Sequence, residues 1–374
     1  GYFTLAFVGS AVLGPLVGGI IIDHFSWPWI FYFNVPFILA VAVICHFALR
    51  LPFKRRSAKL DFKGAGLLSI CIATLMIGLE EGRKGWTEQH VLVLFAVAII
   101  TLALFIQVER HASEPMIPLH LFSNDVVRTC AFLGMCAGAV TYGAGNFLSL
   151  YFQDSLLVSP TESGLRTLPQ MVGVTAATFG VGRLISRTGQ YKRFPIIGSC
   201  LSVVGLLAIA QITGTTPYMY LVIPMILMGF GAASIFTSTS IASQNAVEFH
   251  DLGVATATVM FFRSLGGSFG LAIFGTILNT TIRSEIPKRV DIEPSKASSI
   301  IRSPEEISAL PAASKQAVID SLALGVSRIY WVCAAIMLCA VVLAVILREQ
   351  PLRMRAGLSD AMETPKVSVD TPTV

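Results

Sequence analysis

Arg263 is the residue whose type and position most clearly indicate chemistry. It lies deep inside an apolar block, next to Phe261 and Phe262. A guanidinium inside a membrane-spanning helix costs about 2.5–3.5 kcal/mol on insertion scales, so we expect it to face protein or water rather than lipid. Its counter-charge could come from a carbonyl, from Gln244 or Asn245, from a substrate, or from an acid elsewhere in the protein. A structural role and a role in coupling or substrate contact both stay open.

Polar side chains recur along another apolar block. Tyr142, Asn146 and Gln153 follow one another at intervals of four and seven residues, which places them on one face of a helix. Gln170 lies in the next block. Such a polar stripe either lines a cavity or makes hydrogen bonds between helices, and the sequence allows both uses.

Other kinds of chemistry find no support in the sequence. A phosphate-binding loop of the form G-x-x-x-x-G-K-[ST] and a zinc motif of the form H-E-x-x-H are both absent. The seven cysteines all fall in apolar blocks, with no C-x-x-C pair and no Cys/His cluster of metal-ligand spacing. We therefore expect packing cysteines, no metal, no cofactor, and neither an enzyme nor a pump driven by ATP.

The composition is that of a protein embedded in lipid. Of its 374 residues, 54% are hydrophobic and 13% are charged, against about 25% charged in soluble domains; the mean hydropathy is +0.72. Charge-free blocks match the roughly 20 residues that a helix needs to cross hydrocarbon. The sequence thus predicts an all-α polytopic membrane protein. About ten spans are predicted, near residues 1–22, 29–49, 64–80, 90–108, 128–152, 163–184, 194–212, 218–241, 253–279 and 325–347.

Basic loops give the orientation of the spans. Lys and Arg cluster after the second predicted span, from Arg50 to Lys63, and after the sixth, from Arg183 to Arg193. Short loops rich in these residues stay cytoplasmic, and the tail beyond the last span falls on the same side. The net charge of +5 follows from these loops, so it gives no reason to expect a nucleic-acid partner.

Two motifs go beyond composition. Small residues and one proline recur in the first block, at Gly9, Gly14, Pro15, Gly18 and Gly19, a pattern that favours close helix packing with a kink. Segment 27–36 then reads W-P-W-I-F-Y-F-N-V-P. Together they resemble the fifth and sixth spans of the fourteen-span drug:proton antiporter branch of the major facilitator superfamily, and the resemblance extends over essentially the whole chain. Generic helix packing remains the alternative use of the glycines.

The resemblance implies an architecture. In its register Gly1 falls within the fifth span, so we expect a fragment with about ten of fourteen transmembrane helices. The third and fourth predicted spans correspond to the two extra helices between the six-span halves. The implied divisions are 1–49, the end of the N-terminal bundle; 50–126, a basic loop, two linker spans and an interfacial segment; 127–347, the C-terminal bundle with an external loop at 280–324; and 348–374, a cytoplasmic tail.

Residues 182–189 resemble the second copy of the superfamily's cytoplasmic gating loop, G-x-L-x-D-R-x-G. Gly182, Leu184, Arg187 and Gly189 match, and Arg183 adds a second basic residue, but Ser186 stands where the family has an acid. Any charged latch here must therefore depend on the first copy of the loop. The alternative is that Arg183 and Arg187 only set the topology.

By resemblance, the protein is a multidrug efflux permease of the inner membrane. It would export drugs or other small amphipathic molecules by proton antiport with alternating access, so its expected partners are such molecules, protons and membrane lipid. Tyr142, Asn146, Gln153 and Gln170 would border its cavity, and the proton-carrying carboxylate would lie in the N-terminal spans. A non-transporting sensor or scaffold on the same fold and a dedicated exporter of one metabolite remain the alternatives.

Overall fold

A computed structural model describes residues 14, 17–48, 61–82, 88–112, 119–289 and 311–352. Those residues are almost entirely helical and contain no strand, and positions 17–24 form a helical segment ahead of the first full helix. The helices are α1 (Trp29–Ala48), α2 (Phe62–Glu81), α3 (Gln89–His111), α4 (Asp125–Ser155), α5 (Pro160–Arg166), α6 (Leu168–Thr188), α7 (Arg193–Ile209), α8 (Tyr218–Asn245), α9 (Leu252–Arg289) and α10 (Ala312–Ile346).

Seven helices in the described ranges are long and apolar enough to cross a membrane, namely α1 to α4 and α8 to α10. Helix α7 is apolar but shorter, with 17 residues. Helix α6 lies between α4 and α8 in chain order. The all-α polytopic fold class is confirmed. Most of the first predicted span, near 1–22, lies outside the described residues.

Two predicted boundaries are wrong. Helix α9 continues to Arg289 and α10 begins at Ala312, so residues 280–289 and 312–324 are helical rather than parts of the loop predicted at 280–324. The error arises because the end of an apolar run marks the edge of hydrocarbon and not the end of a helix. The predicted span at 163–184 is broken, since α5 ends at Arg166 and α6 starts at Leu168.

The start of α5 shows how local sequence sets a helix boundary. The Ser159 side chain accepts a hydrogen bond from the Glu162 amide at 3.2 Å, and Pro160 occupies the first helical position. This N-cap arrangement satisfies an amide that would otherwise lack a partner, and proline costs nothing where no amide donor is needed. The start of α5 is therefore fixed by residues of a single turn.

The C-terminal half forms one bundle. Helix α8 packs against α6 and α7, α4 packs against α9, and α10 closes the bundle against α7 and α9. Its core is filled by large side chains with no solvent exposure, among them Tyr151, Phe274 and Tyr330. Helices α2 and α3 form a separate hairpin that touches α9, while no residue of α1 is buried by the described part of the chain.

Glycines set the distance between α4 and α9. A methyl group at Gly138 would fall on the carbonyl oxygen of Arg263, and one at Gly266 would fall on that of Met135. The two backbones therefore touch. Lipid tails supply no hydrophobic drive for helices to associate, so close packing through small residues is a main source of helix contact in membranes.

Tyr191 joins two segments at one end of the bundle. Its hydroxyl donates a hydrogen bond to the Arg348 carbonyl at 2.8 Å and accepts one from the Gln350 amide at 2.9 Å. Burial raises the pKa of this phenol above its ordinary value of 10.0, so the donating form persists. The α6–α7 connection and the segment after α10 thus lie together, as the topology predicted from basic loops requires.

Candidate functional site

The candidate site is a cavity of about 350 Å³ between α4, α6, α8 and α9. It brings together three of the residues singled out from the sequence, Tyr142, Gln170 and Arg263. Its wall combines apolar, hydroxyl, aromatic and cationic groups, which is typical of a small-molecule site. The lining residues are Thr141, Tyr142, Gln170, Met171, Val174, Thr178, Ala232, Ala233, Phe236, Thr237, Ser240 and Arg263.

Helix α4 is locally widened where it borders the cavity. Residues Ala139–Ala144 form a π-helical segment, and Thr141 and Tyr142 lie in it. Such segments interrupt an α-helix mostly at functional sites, because they change the direction in which side chains point. The Tyr142 ring stacks on Phe236, with centroids 6.2 Å apart and planes 16° apart. The two rings form one flat aromatic wall.

Arg263 contacts the same Phe236 ring. Its Cζ is 4.7 Å from the centroid of the Phe236 ring, which is a cation–π contact. Its Nε is buried and has no hydrogen-bond partner among the described residues. Of the two side chains predicted as partners, Gln244 donates to the Thr256 hydroxyl and Asn245 donates to the Pro351 carbonyl. Arg263 therefore faces protein and cavity with part of its donor capacity unused.

Gln170 is positioned by close packing between α6 and α8. The residue is 7% exposed, and a methyl group at Gly229 of α8 would fall on the backbone carbonyl oxygen of Gln170. Gly173, one turn further along α6, meets the backbone of Ile226 and Phe230 in the same way. The α6–α8 wall of the cavity is thus held by contacts between backbones.

Asn146 and Gln153 do not line this cavity. The Asn146 amide donates to the Tyr142 carbonyl at 2.7 Å, within its own helix, and Gln153 donates to the Ser163 hydroxyl at 3.4 Å. Two π-helical segments, Ala139–Ala144 and Tyr151–Ser155, fall within this stretch. Each shifts the angular register of the helix, so spacing alone could not place these residues on the Tyr142 face.

A larger cavity of about 850 Å³ lies elsewhere, between α2, α4, α9 and α10. It contains Glu80, Glu81, Asp154 and Arg283, and none of the side chains that line the smaller cavity. The smaller cavity is the better candidate, because it is formed between helices of the bundle and holds a half-buried cation beside an aromatic wall. Its residues also include three that the sequence singled out independently.

The described residues form neither a metal site nor a serine nucleophile. No group of three or more His, Cys, Asp or Glu side chains suits a metal ion in the described ranges. Residues 266–270 read G-G-S-F-G and so match the nucleophile motif G-x-S-x-G, but they lie in the middle of α9. That motif needs a sharp strand-to-helix turn to expose its serine, so these glycines serve helix packing.

Comparison with known proteins identifies the family. Residues 1–271 match the Major Facilitator Superfamily. The chain belongs to this superfamily. An uncharacterized MFS-type transporter of Mycobacterium tuberculosis is 31% identical over 360 residues, covering 94% of this chain and 51% of that protein. Multidrug resistance protein 3 of Bacillus subtilis is 31% identical over 289 residues, covering 76% and 56%. A tetracycline resistance determinant of Streptomyces rimosus is 32% identical over 221 residues, covering 59% and 64%.

The resemblance to the Major Facilitator Superfamily and its drug-efflux members is therefore confirmed. So is the prediction of a transporter family rather than an enzyme family. The chain spans about half the length of the first two relatives, 51% and 56%.

The superfamily's glycine motif lies partly in the described residues. Gly9 and Pro15 lie outside them, and Gly14 is helical and exposed. A methyl group at Gly18 would meet nothing within 4 Å, whereas one at Gly19 would lie 2.6 Å from the Thr161 Cα. Four residues on, the Asp23 carboxylate accepts a hydrogen bond from the Thr161 amide at 3.0 Å. The motif thus brings segment 17–24 against the start of α5.

The gating-loop residues close the end of α6. Gly189 adopts a left-handed conformation, with φ of 70°, and its amide donates to the Ile185 carbonyl at 2.9 Å. This is the usual helix ending at glycine, because other residues are strained at that φ. Gly182 borders α8, and Arg183 and Arg187 are exposed without an ion pair to any described residue.

Proposed function

We propose that this chain is part of a secondary transporter of the inner membrane that exports small amphipathic molecules from the cytoplasm by proton antiport. The observation that carries the proposal is the cavity around Arg263, bordered by four helices of a Major Facilitator bundle. Its mixed aromatic and polar wall suits amphipathic molecules. The names of the Bacillus and Streptomyces relatives, which refer to multidrug and tetracycline resistance, support the same class of substrate.

Transport proceeds by alternating access in this proposal. The bundle that contains α4 and α6 to α10 rocks against the N-terminal half, and the cavity opens to each side in turn. The Gly19 contact with α5 belongs to the conformation described here, because it joins segment 17–24 of the first half to the second. The basic α6–α7 connection and the C-terminus lie on the cytoplasmic side.

Proton coupling requires a group whose protonation favours one conformation over the other. No Asp or Glu lines the cavity in the described part of the chain. We therefore place the coupling carboxylate outside this cavity wall, in the spans contributed by the N-terminal half. Arg263 then acts on the substrate or on that carboxylate rather than as a proton carrier.

The test uses everted membrane vesicles that carry the intact protein. With an imposed inward-acidic pH gradient, we expect accumulation of fluorescent phenylnaphthylamine, a neutral amphipathic dye, and its collapse on addition of a protonophore. Vesicles without the protein are the control. The proposal fails if neutral, anionic and cationic amphipathic dyes all equilibrate at the same rate in both kinds of vesicle.

A further inference from the structure

The geometry points to a substrate class for this cavity: planar aromatic molecules that carry an anionic group, or a strong hydrogen-bond acceptor, beside the ring. The inference rests on the proposed transport function, and it concerns the same site. It assigns Arg263 and Thr141 to the acceptor group and the Tyr142–Phe236 wall to the ring.

The charge on the cavity wall is the first argument. Arg263 is the single ionisable residue other than Tyr142 among the described lining residues. Its Nε–H is buried and has no acceptor there. A buried donor without a partner costs free energy, and a charged donor costs more than a neutral one. A bound carboxylate, sulfonate, phenolate or carbonyl would instead contact the part of the guanidinium that lines the cavity and balance its charge.

A second unused group lies in the same wall. Thr141 Oγ1 is buried and has no hydrogen-bond partner among the described residues. It belongs to the π-helical segment of α4 that directly follows Gly138, whose backbone contacts that of Arg263 on α9. Thr141 and Arg263 border one small cavity, and a hydroxyl beside a guanidinium is a combination that suits an oxygen acceptor.

The aromatic wall sets the shape of the molecule. Tyr142 and Phe236 stack nearly parallel, and Tyr142 remains 47% exposed, so its free ring surface is available for a flat ligand. Aromatic rings attract one another in offset-stacked arrangements beyond their buried area. A lipophilic cation would find the same rings but would also meet the Arg263 charge, with no described carboxylate in the lining to balance it.

The test compares two dyes that share one aromatic core. Anilinonaphthalenesulfonate is anionic, and phenylnaphthylamine lacks the sulfonate. Binding to the purified intact protein is measured for wild type and Arg263→Gln at equal protein and detergent, so partition into detergent cancels. We expect the variant to bind the anionic dye about tenfold more weakly or worse, as for loss of a charged hydrogen bond. The affinity for the neutral dye should change by less than about twofold. The affinity of Arg263→Lys for the anionic dye should lie between those of the wild type and Arg263→Gln.

Matched controls separate the contact from damage to the fold. Arg283→Gln removes the same charge from the same helix at a residue outside this cavity. It should leave the affinity for both dyes unchanged. Thermal unfolding of each variant checks folding. Equal losses for both dyes in Arg263→Gln, or no loss for the anionic dye, would overturn the inference.

Binding and transport fail in distinguishable ways. If the wild type binds the anionic dye through Arg263 but moves no dye in the vesicle assay, the substrate-class inference stands and the export proposal fails. If the wild type exports dyes but prefers a cationic derivative of the same core, export stands and the substrate class is wrong.

Discussion

Replacing Gly138 by alanine is expected to destabilise the protein and to lower transport at least tenfold. The added methyl group would overlap the carbonyl oxygen of Arg263, which belongs to the backbone of α9 and cannot rotate away. Overpacked cores lose about 1–3 kcal/mol, and a clash with backbone falls at the upper end of that range. The α4–α9 distance must then grow, which moves Arg263 relative to Tyr142. Thermal unfolding and vesicle transport of the intact protein measure the two effects.

Gly145→Ala is the matched control on the same span. A methyl group there meets nothing within 4 Å in the described part of the chain, and alanine is favoured over glycine inside a helix by roughly 0.5–1 kcal/mol. We therefore expect changes of opposite sign, with Gly138→Ala unfolding at lower temperature and Gly145→Ala at equal or higher temperature. Two variants that unfold alike would show that the glycines do not set the helix distance.

Gly19→Ala is expected to lower transport by about tenfold, the equivalent of 1.4 kcal/mol, with little change in the stability of the C-terminal bundle. The methyl group would lie 2.6 Å from the Thr161 Cα and 2.9 Å from the Pro160 carbonyl oxygen. Segment 17–24 could no longer pack against the start of α5, and the hydrogen bond from the Thr161 amide to the Asp23 carboxylate would lengthen. The conformation with this contact would lose population, and the transport cycle would slow.

Gly18→Ala tests whether the effect depends on the contact. It lies beside Gly19 in the same motif, but its methyl group has open space in the described ranges. Crosslinking of cysteines placed at Ile22 and Glu162 reports how often the two segments meet. We expect fewer crosslinks in Gly19→Ala and wild-type yield in Gly18→Ala. Equal crosslinking in all three proteins would contradict the assignment of this contact to the cycle.

Much of the fold follows from local sequence. The length of each apolar run predicted the positions of the described spans, because a helix needs about 20 residues to cross hydrocarbon. The start of α5 depends on a single turn, because the Ser159 hydroxyl caps the helix and Pro160 follows it. The helical ends of α9 and α10 were missed. There polar residues continue the helix outside the apolar run, with Glu285 3.6 Å from Arg328 across the two helices.

The site was only partly predictable. The insertion cost of a buried guanidinium singled out Arg263 and required it to face protein or water. Its contact with Phe236 depends on how α8 and α9 pack, and nothing local to either residue specifies that. The π-helical turns of α4 are likewise a tertiary feature. They explain why Tyr142 borders the cavity while Asn146 and Gln153, predicted to share its face, bond elsewhere.

The central claim is that substrates occupy the cavity around Arg263, and filling that cavity tests it most directly. Ser240 lines the cavity, so Ser240→Trp would place an indole in the space. Val204→Trp adds an indole on α7 at a side chain that is 57% exposed. We predict that vesicle transport falls at least tenfold in Ser240→Trp and is unchanged in Val204→Trp, while both variants unfold near the wild-type temperature. Wild-type transport by a folded Ser240→Trp protein would contradict the account.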